Sequence, residues 1–280
     1  MRTLRLGDTG RDVQDLQIIL QLSVDGIFGP DTEAAVLVFQ EAVGLYADGI
    51  VGRNTWAKLG RNRLEVKERF DNVECVGWHR VLADRYRDGY SSHSLRVDIA
   101  ARYLDALREV HSHGGIITSS GSKRRPDATV GRNRSSYSFH YLGRAFDLFV
   151  GSAMSDPEND PYVVTAEGRY WRVYCRADNG INLVLNAWHH KRQRGYAVNG
   201  KFIDLTDIFG QHGFRRIPRR RGYNRDNYGA SEWWHFECHE GLKRGDRFGR
   251  ELCRVWDVNR LIDTSVWRNR HGVYGTDWGR

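Results

Sequence analysis

The sequence predicts two domains, a small all-helical domain at the N-terminus and a larger domain that combines helices with strands. Three observations support this prediction: the chain has 280 residues, its first sixty residues contain an internal repeat, and helix and strand periodicities both follow the repeat. A chain of this length usually forms two domains. The contents of 40% hydrophobic and 12% aromatic residues are ample for packed cores.

The repeat consists of D-G-I-F-G-P-D-T at 25–32 and D-G-I-V-G-R-N-T at 48–55, offset by 23 residues. In each copy a D-G turn leads into a loop whose glycine allows positive φ, and Thr, Asp or Asn then caps a helix. Apolar faces with helical spacing flank the first copy. They comprise Val13, Leu16, Gln17 and Leu20, then Ala35, Val36, Phe39 and Val43. On pattern alone this region is a three-helix bundle that could serve as a spacer.

The motifs of this region occur in a characteristic order. They are L-R-L-G-D-T-G-R-D-V-Q-D-L-Q, D-G-x-F-G, A-V-x-x-F-Q and G-L-x-x-D-G-x-x-G-x-x-T, within about residues 4–59. In this order they resemble the peptidoglycan-binding domain attached to many wall hydrolases, which implies peptidoglycan as a partner. We therefore predict a peptidoglycan-binding domain over 1–60. The charged segment 61–72 has little apolar periodicity and is predicted to be a linker.

Helix and strand patterns alternate beyond the linker. An apolar stripe from Leu95 to Val110 predicts a helix that ends at Gly114-Gly115, and a short strand is expected at 116–119. Residues 145–150 alternate as a half-buried or fully buried strand would. In a second predicted strand, Trp233, His235 and Glu237 share one face.

Two segments contain residue types that could bind a metal ion. His140 and Asp147 belong to the first segment, and His235 to the second, with Glu232 three residues before it. Two neutral imidazoles and one carboxylate leave a bound Zn²⁺ with an open fourth position, the arrangement that activates water in hydrolases. Gly143 marks a bend that returns His140 to Asp147. Each residue alone is more often a hydrogen-bonded surface or core group, so the whole pattern must decide.

The whole pattern, S-x-H-x-x-G-x-A-x-D followed by E-x-W-H, is filled by eight residues: Ser138, His140, Gly143, Ala145, Asp147, Glu232, Trp234 and His235. It resembles the zinc D-Ala-D-Ala peptidases, the VanX/VanY-type metallopeptidases that include dipeptidases, carboxypeptidases and phage endolysins. The resemblance covers about 73–255. It implies an α+β domain with a small antiparallel sheet and flanking helices, zinc bound by His140, Asp147 and His235, and Glu232 as general base. We predict this catalytic domain over 73–280, including a C-terminal tail.

The resemblance also suggests a residue that faces the substrate. The family has an S-G-Y-R-type motif about sixteen residues before the first histidine ligand, whereas this chain has S-G-S-K-R at 120–124. We expect Arg124 to steady charge on the scissile carbonyl oxygen, with Lys123 and Arg125 as alternatives. The 85 residues from Asp147 to Glu232 are long for the family and predict an insertion.

The formal net charge of +8 favours an anionic partner, which could be nucleic acid, a membrane surface or an anionic wall polymer. Nucleic acid is disfavoured because no zinc-finger or helix-turn-helix spacing is present. The basic loop 217–225 is by default solvated, although its position before Glu232 could place it at the cleft. No apolar run is long enough for a membrane span, and charged residues occupy the position of a signal-peptide core.

These patterns predict a zinc-dependent peptidoglycan peptidase, either endolysin-like or a D,D-carboxypeptidase or endopeptidase. The alternatives are an L-alanyl-D-glutamate endopeptidase lysin and a non-catalytic, zinc-containing wall-binding protein. A purely structural zinc site needs no base, so Glu232 argues against the latter. Action on the bacterial wall without a visible signal peptide suggests phage-type delivery or another route outside general secretion. The bond cleaved and the oligomeric state do not follow from the sequence.

Overall fold

The protein is described by a computed structural model that places residues 2–20, 22–60, 73–126, 138–243, 246, 248–257 and 261. The described residues divide into two compact units, the first ending at Val73 and also including Asp257 and Leu261, and the second spanning Glu74–Trp256. The predicted linker 61–72 and nearly all of the tail beyond Trp256 lie outside the described residues, so the predicted domain bounds stay predictions. Within the described part of the chain, no helix has the length and apolar character needed to cross a membrane.

Six helices and eight strands are described. The helices are α1 Arg11–Leu20, α2 Pro30–Ala42, α3 53–60, α4 Val97–Ser112, α5 Leu205–Gln211 and α6 Phe248–Cys253. The strands are β1 Trp78–Leu82, β2 Ser92–Arg96, β3 Ala145–Asp147, β4 Tyr162–Glu167, β5 Tyr170–His189, β6 Arg194–Asp204, β7 Phe214–Arg216 and β8 His235–Cys238. Short 3₁₀ helices span Phe139–Leu142, Val150–Ser152 and Tyr228–Ala230.

The first unit contains α1, α2 and α3 around its own apolar core, as predicted. Its repeat has a structural cause in two buried glutamines. Gln17 Nε2 donates to Asp25 Oδ1 at 2.8 Å and to the Ile27 carbonyl at 2.9 Å, and its Oε1 accepts from the Gly26 N–H at 2.9 Å. Gln40, 23 residues later, makes the same three bonds to the second D-G turn at 2.8 to 3.0 Å. Each glutamine side chain thus satisfies polar groups of its turn, including the N–H of the buried glycine.

The second unit is an α+β domain with small antiparallel sheets, as predicted. Its sheets have the orders β1-β2, β3-β8-β7 and β4-β5-β6, and every pairing is antiparallel. A buried apolar cluster joins α4 to residues of all three sheets, with Phe146 of β3 within ring contact of Phe209, Phe214 and Phe236. The sheet β4-β5-β6 lies in the long segment between the two motifs that contain the candidate metal ligands. The short strand β3 packs against side chains of α5 and β7, which lie within that segment, and of β8, which follows it.

Two predicted elements differ from the structure at their ends, and a third does not form the predicted strand. The strand predicted over 145–150 ends at Asp147: the Leu148 N–H still donates to the opposite Trp234 carbonyl at 2.9 Å, but Trp234 lies in a turn and a 3₁₀ helix begins at Val150. Residues 116–119 contribute only an isolated bridge between Tyr90 and Ser119 instead of a strand. The apolar stripe from Leu95 crosses an element boundary, because Leu95 belongs to β2 and the helix begins at Val97.

Candidate metal centre

His140 lies in the 3₁₀ helix Phe139–Leu142, where only 4% of the residue is exposed. The Ser138 side chain caps this helix by accepting from the His140 backbone N–H at 3.4 Å. The ring is oriented by the Ser122 carbonyl, which lies 2.6 Å from Nδ1. Because a carbonyl can only accept, Nδ1 is the donor in this contact, and Nε2 is left for another partner. Nε2 is the atom that faces Asp147.

The turn after this helix requires a glycine. Gly143 has a φ of +67°, and a Cβ built there would lie 2.7 Å from the Arg96 backbone nitrogen. The next residue, Arg144, is buried and donates to Glu251 Oε2 at 3.0 Å, and Arg96 donates to the same oxygen at 2.6 Å. Gly143 thus permits the bend that the sequence predicted, and the buried ion pairs hold it in place.

Asp147 and His235 face each other across the sheet, because β3 and β8 pair in a register that places these residues opposite one another. Asp147 Oδ1 is 2.9 Å from His235 Nδ1, and Asp147 Oδ2 is 3.2 Å from His140 Nε2. The two imidazole rings are 4.9 Å apart and inclined at 75°. One ligand atom from each residue lies within 4.8 Å of the others. Two imidazole nitrogens and one carboxylate oxygen form the donor set of a three-ligand zinc site.

The outer nitrogen of His235 has a carboxylate partner to which the sequence had assigned no role. Glu237 Oε2 lies 3.1 Å from His235 Nε2, and Glu237 Oε1 lies 2.8 Å from His239 Nε2. The His239 ring in turn stacks on Phe139 with centroids 4.7 Å apart. Such carboxylate–histidine contacts fix the tautomer of a metal ligand and increase its basicity. The only signal in the sequence was that Glu237 shares a strand face with His235.

The electrostatics of the cluster favour a cation. Burial opposes ionisation of Asp147, but the charges and hydrogen bonds of His140 and His235 hold its pKa far below the usual range. Burial would lower the pKa of His235, yet hydrogen bonds to Asp147 and Glu237 raise that pKa to about 10. The pKa of Glu237 falls to about 2, because hydrogen bonds from His235 and His239 outweigh its burial. The two carboxylates therefore create a site that stabilises positive charge between them.

Replacing Glu237 by glutamine is expected to weaken zinc binding about 10-fold to 100-fold. The glutamine oxygen can still accept from His235 Nε2, so mainly the negative charge is lost and folding should be preserved. Zinc affinity measured by competition with a chelating dye tests this. Glu240→Gln is the control, since Glu240 is exposed and its carboxylate faces Arg102 at 4.0 Å. Equal zinc affinities in the two variants would show that Glu237 does not contribute to zinc binding.

Glu232 lies in the turn before β8, as its position in the sequence predicted. Its φ is +56°, a left-handed conformation that is uncommon for a residue with a side chain and is often found at functional sites. The residue is 7% exposed, and its Oε1 lies 2.5 Å from Arg220 Nη2. Burial raises the pKa of Glu232, and the charge of Arg220 partly offsets this increase. A buried carboxyl with a raised pKa is suited to accepting and returning a proton near neutral pH.

All five predicted site residues line one cavity of about 640 Å³: Arg124, His140, Asp147, Glu232 and His235. The basic loop 217–225 borders the same cavity through Ile217, Arg220 and Arg221, so its default interpretation as a solvated loop is incomplete. The sequence had not identified Arg220 as the partner of Glu232, because the two are twelve positions apart in an irregular segment.

The three basic residues considered for the substrate contact differ in position. Only Arg124 lines the cavity that contains Glu232, and its guanidinium lies 5.5 Å from the centre of the Tyr141 ring. Lys123 Nζ lies over Trp78 at 4.5 Å and over Trp256 at 4.9 Å. Arg125 is exposed and lines a second, adjoining cavity. These positions favour Arg124 for the predicted role, which stays a prediction.

Comparisons with known proteins bear out the resemblance in both parts of the chain. Residues 9–59 match the family described as "Putative peptidoglycan binding domain". The chain is 32% identical over 166 residues to the zinc D-Ala-D-Ala carboxypeptidase of Streptomyces albus G, covering 54% of this chain and 62% of that protein. It is 52% identical over 59 residues to "Uncharacterized protein in bpoA1 3'region" of Kitasatospora aureofaciens, covering 19% of this chain and 50% of that protein. The chain thus spans less than two thirds of each curated relative.

A solved structure, the Burkholderia AP3 phage endolysin, is 30% identical and covers 45% of this chain and 42% of its own. Its TM-score of 0.22 is too low to support an argument about the fold.

Proposed function

We propose that this protein is a zinc-dependent peptidase that cleaves a peptide bond in peptidoglycan, and that its first unit binds the same polymer. The observation that carries the proposal is the cluster of His140, Asp147 and His235 ligand atoms in a cavity that also contains Glu232 and Arg124. Similarity to a zinc D-Ala-D-Ala carboxypeptidase supports the catalytic part of the proposal. The match of residues 9–59 to a peptidoglycan-binding family supports the wall as the place of action.

His140, Asp147 and His235 would hold a zinc ion, which as a Lewis acid would polarise a carbonyl group and acidify water. Glu232 accepts the proton of the attacking water and transfers it to the departing amine. Its buried position keeps the carboxyl group within the cavity, and Arg220 orients it through the contact at Oε1. Arg124, from segment 120–124, also lines the cavity and stabilises negative charge on the carbonyl oxygen. Each residue has one role in the hydrolysis of an amide bond.

The function is tested with zinc-loaded full-length protein on purified sacculi. Mass spectrometry of the released fragments identifies the new amino and carboxyl ends, and therefore the bond cleaved. A new end at D-Ala supports a carboxypeptidase or cross-link endopeptidase, whereas ends at L-Ala and D-Glu identify the alternative endopeptidase. If no fragment appeared with zinc present but the protein still bound sacculi, it would be a non-catalytic wall-binding protein.

The two units should contribute separately to cleavage, because each has its own apolar core. Deleting residues 1–60 is expected to leave the rate of hydrolysis of a short soluble peptide within about 2-fold of the rate of the full-length protein. Cleavage of sacculi should fall by up to about 100-fold, because the catalytic unit is no longer concentrated at the wall. Rates on both substrates and the melting temperature should be measured together. Equal losses on both substrates with a lower melting temperature would instead indicate that the first unit stabilises the second.

A further inference from the structure

A second cavity adjoins the metal centre and is not used by the mechanism described above. It has a volume of about 670 Å³ and lies between the β1-β2 hairpin and segment 120–125. We call it the serine–arginine groove because Arg80, Ser91, Ser92, Ser94, Ser122 and Arg125 are among its lining residues. Arg124, His140 and Asp147 line both cavities, so the groove and the Glu232 cavity meet at the metal ligands and extend towards different elements.

The groove has a strong excess of positive charge. Among the described residues that line it, four are basic, namely Arg80, Lys123, Arg124 and Arg125, and one is acidic, the candidate metal ligand Asp147. Serine hydroxyl groups contribute donors and acceptors on the remaining wall. A recess of this size, lined by several basic side chains and hydroxyl groups, is suited to a negatively charged chain whose uncharged polar groups also form hydrogen bonds.

The walls of the groove are joined directly to the metal centre. Ser122 Oγ accepts from the Ser94 N–H at 2.6 Å and donates to the Ser94 carbonyl at 2.8 Å. The Ser122 carbonyl is also the group that orients His140. These bonds tie segment 120–125 to β2 and to a metal ligand, so the groove has a fixed position relative to the site of cleavage.

Arg80 supplies the groove with an oriented guanidinium group. It lies on β1, and its Nε donates to Ser92 Oγ on the neighbouring strand at 3.0 Å. In the described part of the chain, Arg80 forms no ion pair with a carboxylate. An arginine held at Nε can present its terminal N–H groups as a fork, which is the geometry that recognises a carboxylate.

The position of Glu232 assigns the two cavities to the two sides of the scissile bond. Glu232 lines only the first cavity, and it must transfer a proton to the departing amine. The departing part of the substrate therefore lies in the first cavity, and the acyl part lies in the serine–arginine groove. We propose that the groove binds the acyl side of a peptide substrate and that Arg80 binds a carboxylate on it. This proposal rests on the proposed peptidase function.

A matched pair of substrates tests the proposal. One is the soluble pentapeptide L-Ala-γ-D-Glu-L-Lys-D-Ala-D-Ala, and the other has the D-glutamyl α-carboxylate converted to a carboxamide. Zinc-loaded full-length protein should cleave both at a D-Ala end and should prefer the carboxylate form by about 10-fold in kcat/KM, mainly through KM, as expected for one solvent-accessible charge-assisted hydrogen bond. Raising the salt concentration should reduce the preference.

Arg80→Gln is expected to lower the preference to about 2-fold or less, because only the carboxylate form loses an interaction. Arg85→Gln is the matched control, since Arg85 is also exposed, lies five residues away and lines neither cavity. Three outcomes would overturn the groove assignment but leave the peptidase function standing. The parent protein could cleave the two peptides equally, Arg80→Gln could lower kcat/KM equally for both peptides, or cleavage could occur at the L-Ala-D-Glu bond. Absence of zinc-dependent cleavage on both peptides and on sacculi would overturn the function itself.

Discussion

Glu232→Gln should lower turnover at least about 100-fold while leaving the zinc content unchanged. The glutamine retains the size and hydrogen-bonding capacity of the side chain, but it cannot accept a proton from water. The side chain lies against Arg220 and is not among the three clustered ligand groups, so metal binding should not depend on its charge. Turnover of a soluble peptide and metal analysis should be measured on the same preparation.

The control for this experiment is Glu240→Gln, which removes a carboxylate from an exposed residue outside both cavities. Its turnover should be close to that of the parent protein. If zinc-loaded Glu232→Gln retained more than about a tenth of the parental turnover, another group would have to move the proton. Loss of both zinc and turnover would instead make Glu232 part of the metal site.

Replacing any one of His140, Asp147 and His235 by alanine should abolish detectable hydrolysis and reduce the zinc content to near zero after dialysis against a weak chelator. The three candidate ligand atoms lie within 4.8 Å of one another, and each substitution removes one of them and leaves two. A zinc site with two protein ligands has neither the affinity nor the fixed geometry of one with three. Metal analysis and peptide turnover are the measurements.

His79→Ala serves as the control for the histidine variants, because His79 is exposed on β1 and lines neither cavity. Circular dichroism of each variant separates loss of the ion from loss of the fold. Folded variants that retained full zinc occupancy would contradict the ligand assignment. A variant that lost zinc but retained turnover would show that the reaction does not need the ion.

The sequence predicted the fold class because its strongest patterns are local. Spaced apolar residues identified α1, α2 and α4, and the repeated D-G turns identified the first domain. Element ends were less accurate, since hydrogen bonds from distant residues decide them. The strand from Ala145 stops at Asp147 because Trp234, which lies opposite Leu148 and 86 positions after it, is already part of a turn. No local pattern contains that information.

The five candidate site residues could be selected from the sequence because the family motifs specify which residue types occur at which spacings. Glu237 and Arg220 were assigned no role, since their contribution depends on which atom faces which partner. Glu237 binds the outer nitrogen of His235, and Arg220 reaches Glu232 from a loop without regular structure. The serine–arginine groove was also not predicted, because β1 and segment 120–125 come together only through tertiary packing.

The register of β3 against β8 has a consequence for the order in which the chain folds. Asp147 and His235 are 88 positions apart, and closing so long a loop carries a large entropic cost. Much of the intervening chain lies in β4, β5 and β6, whose pairings join neighbouring segments of sequence. Local pairings form faster than distant ones, so this sheet should form first and bring the ends of β3 and β8 together. The complete ligand set should then be a late product of folding, and during synthesis it cannot exist until His235 has left the ribosome.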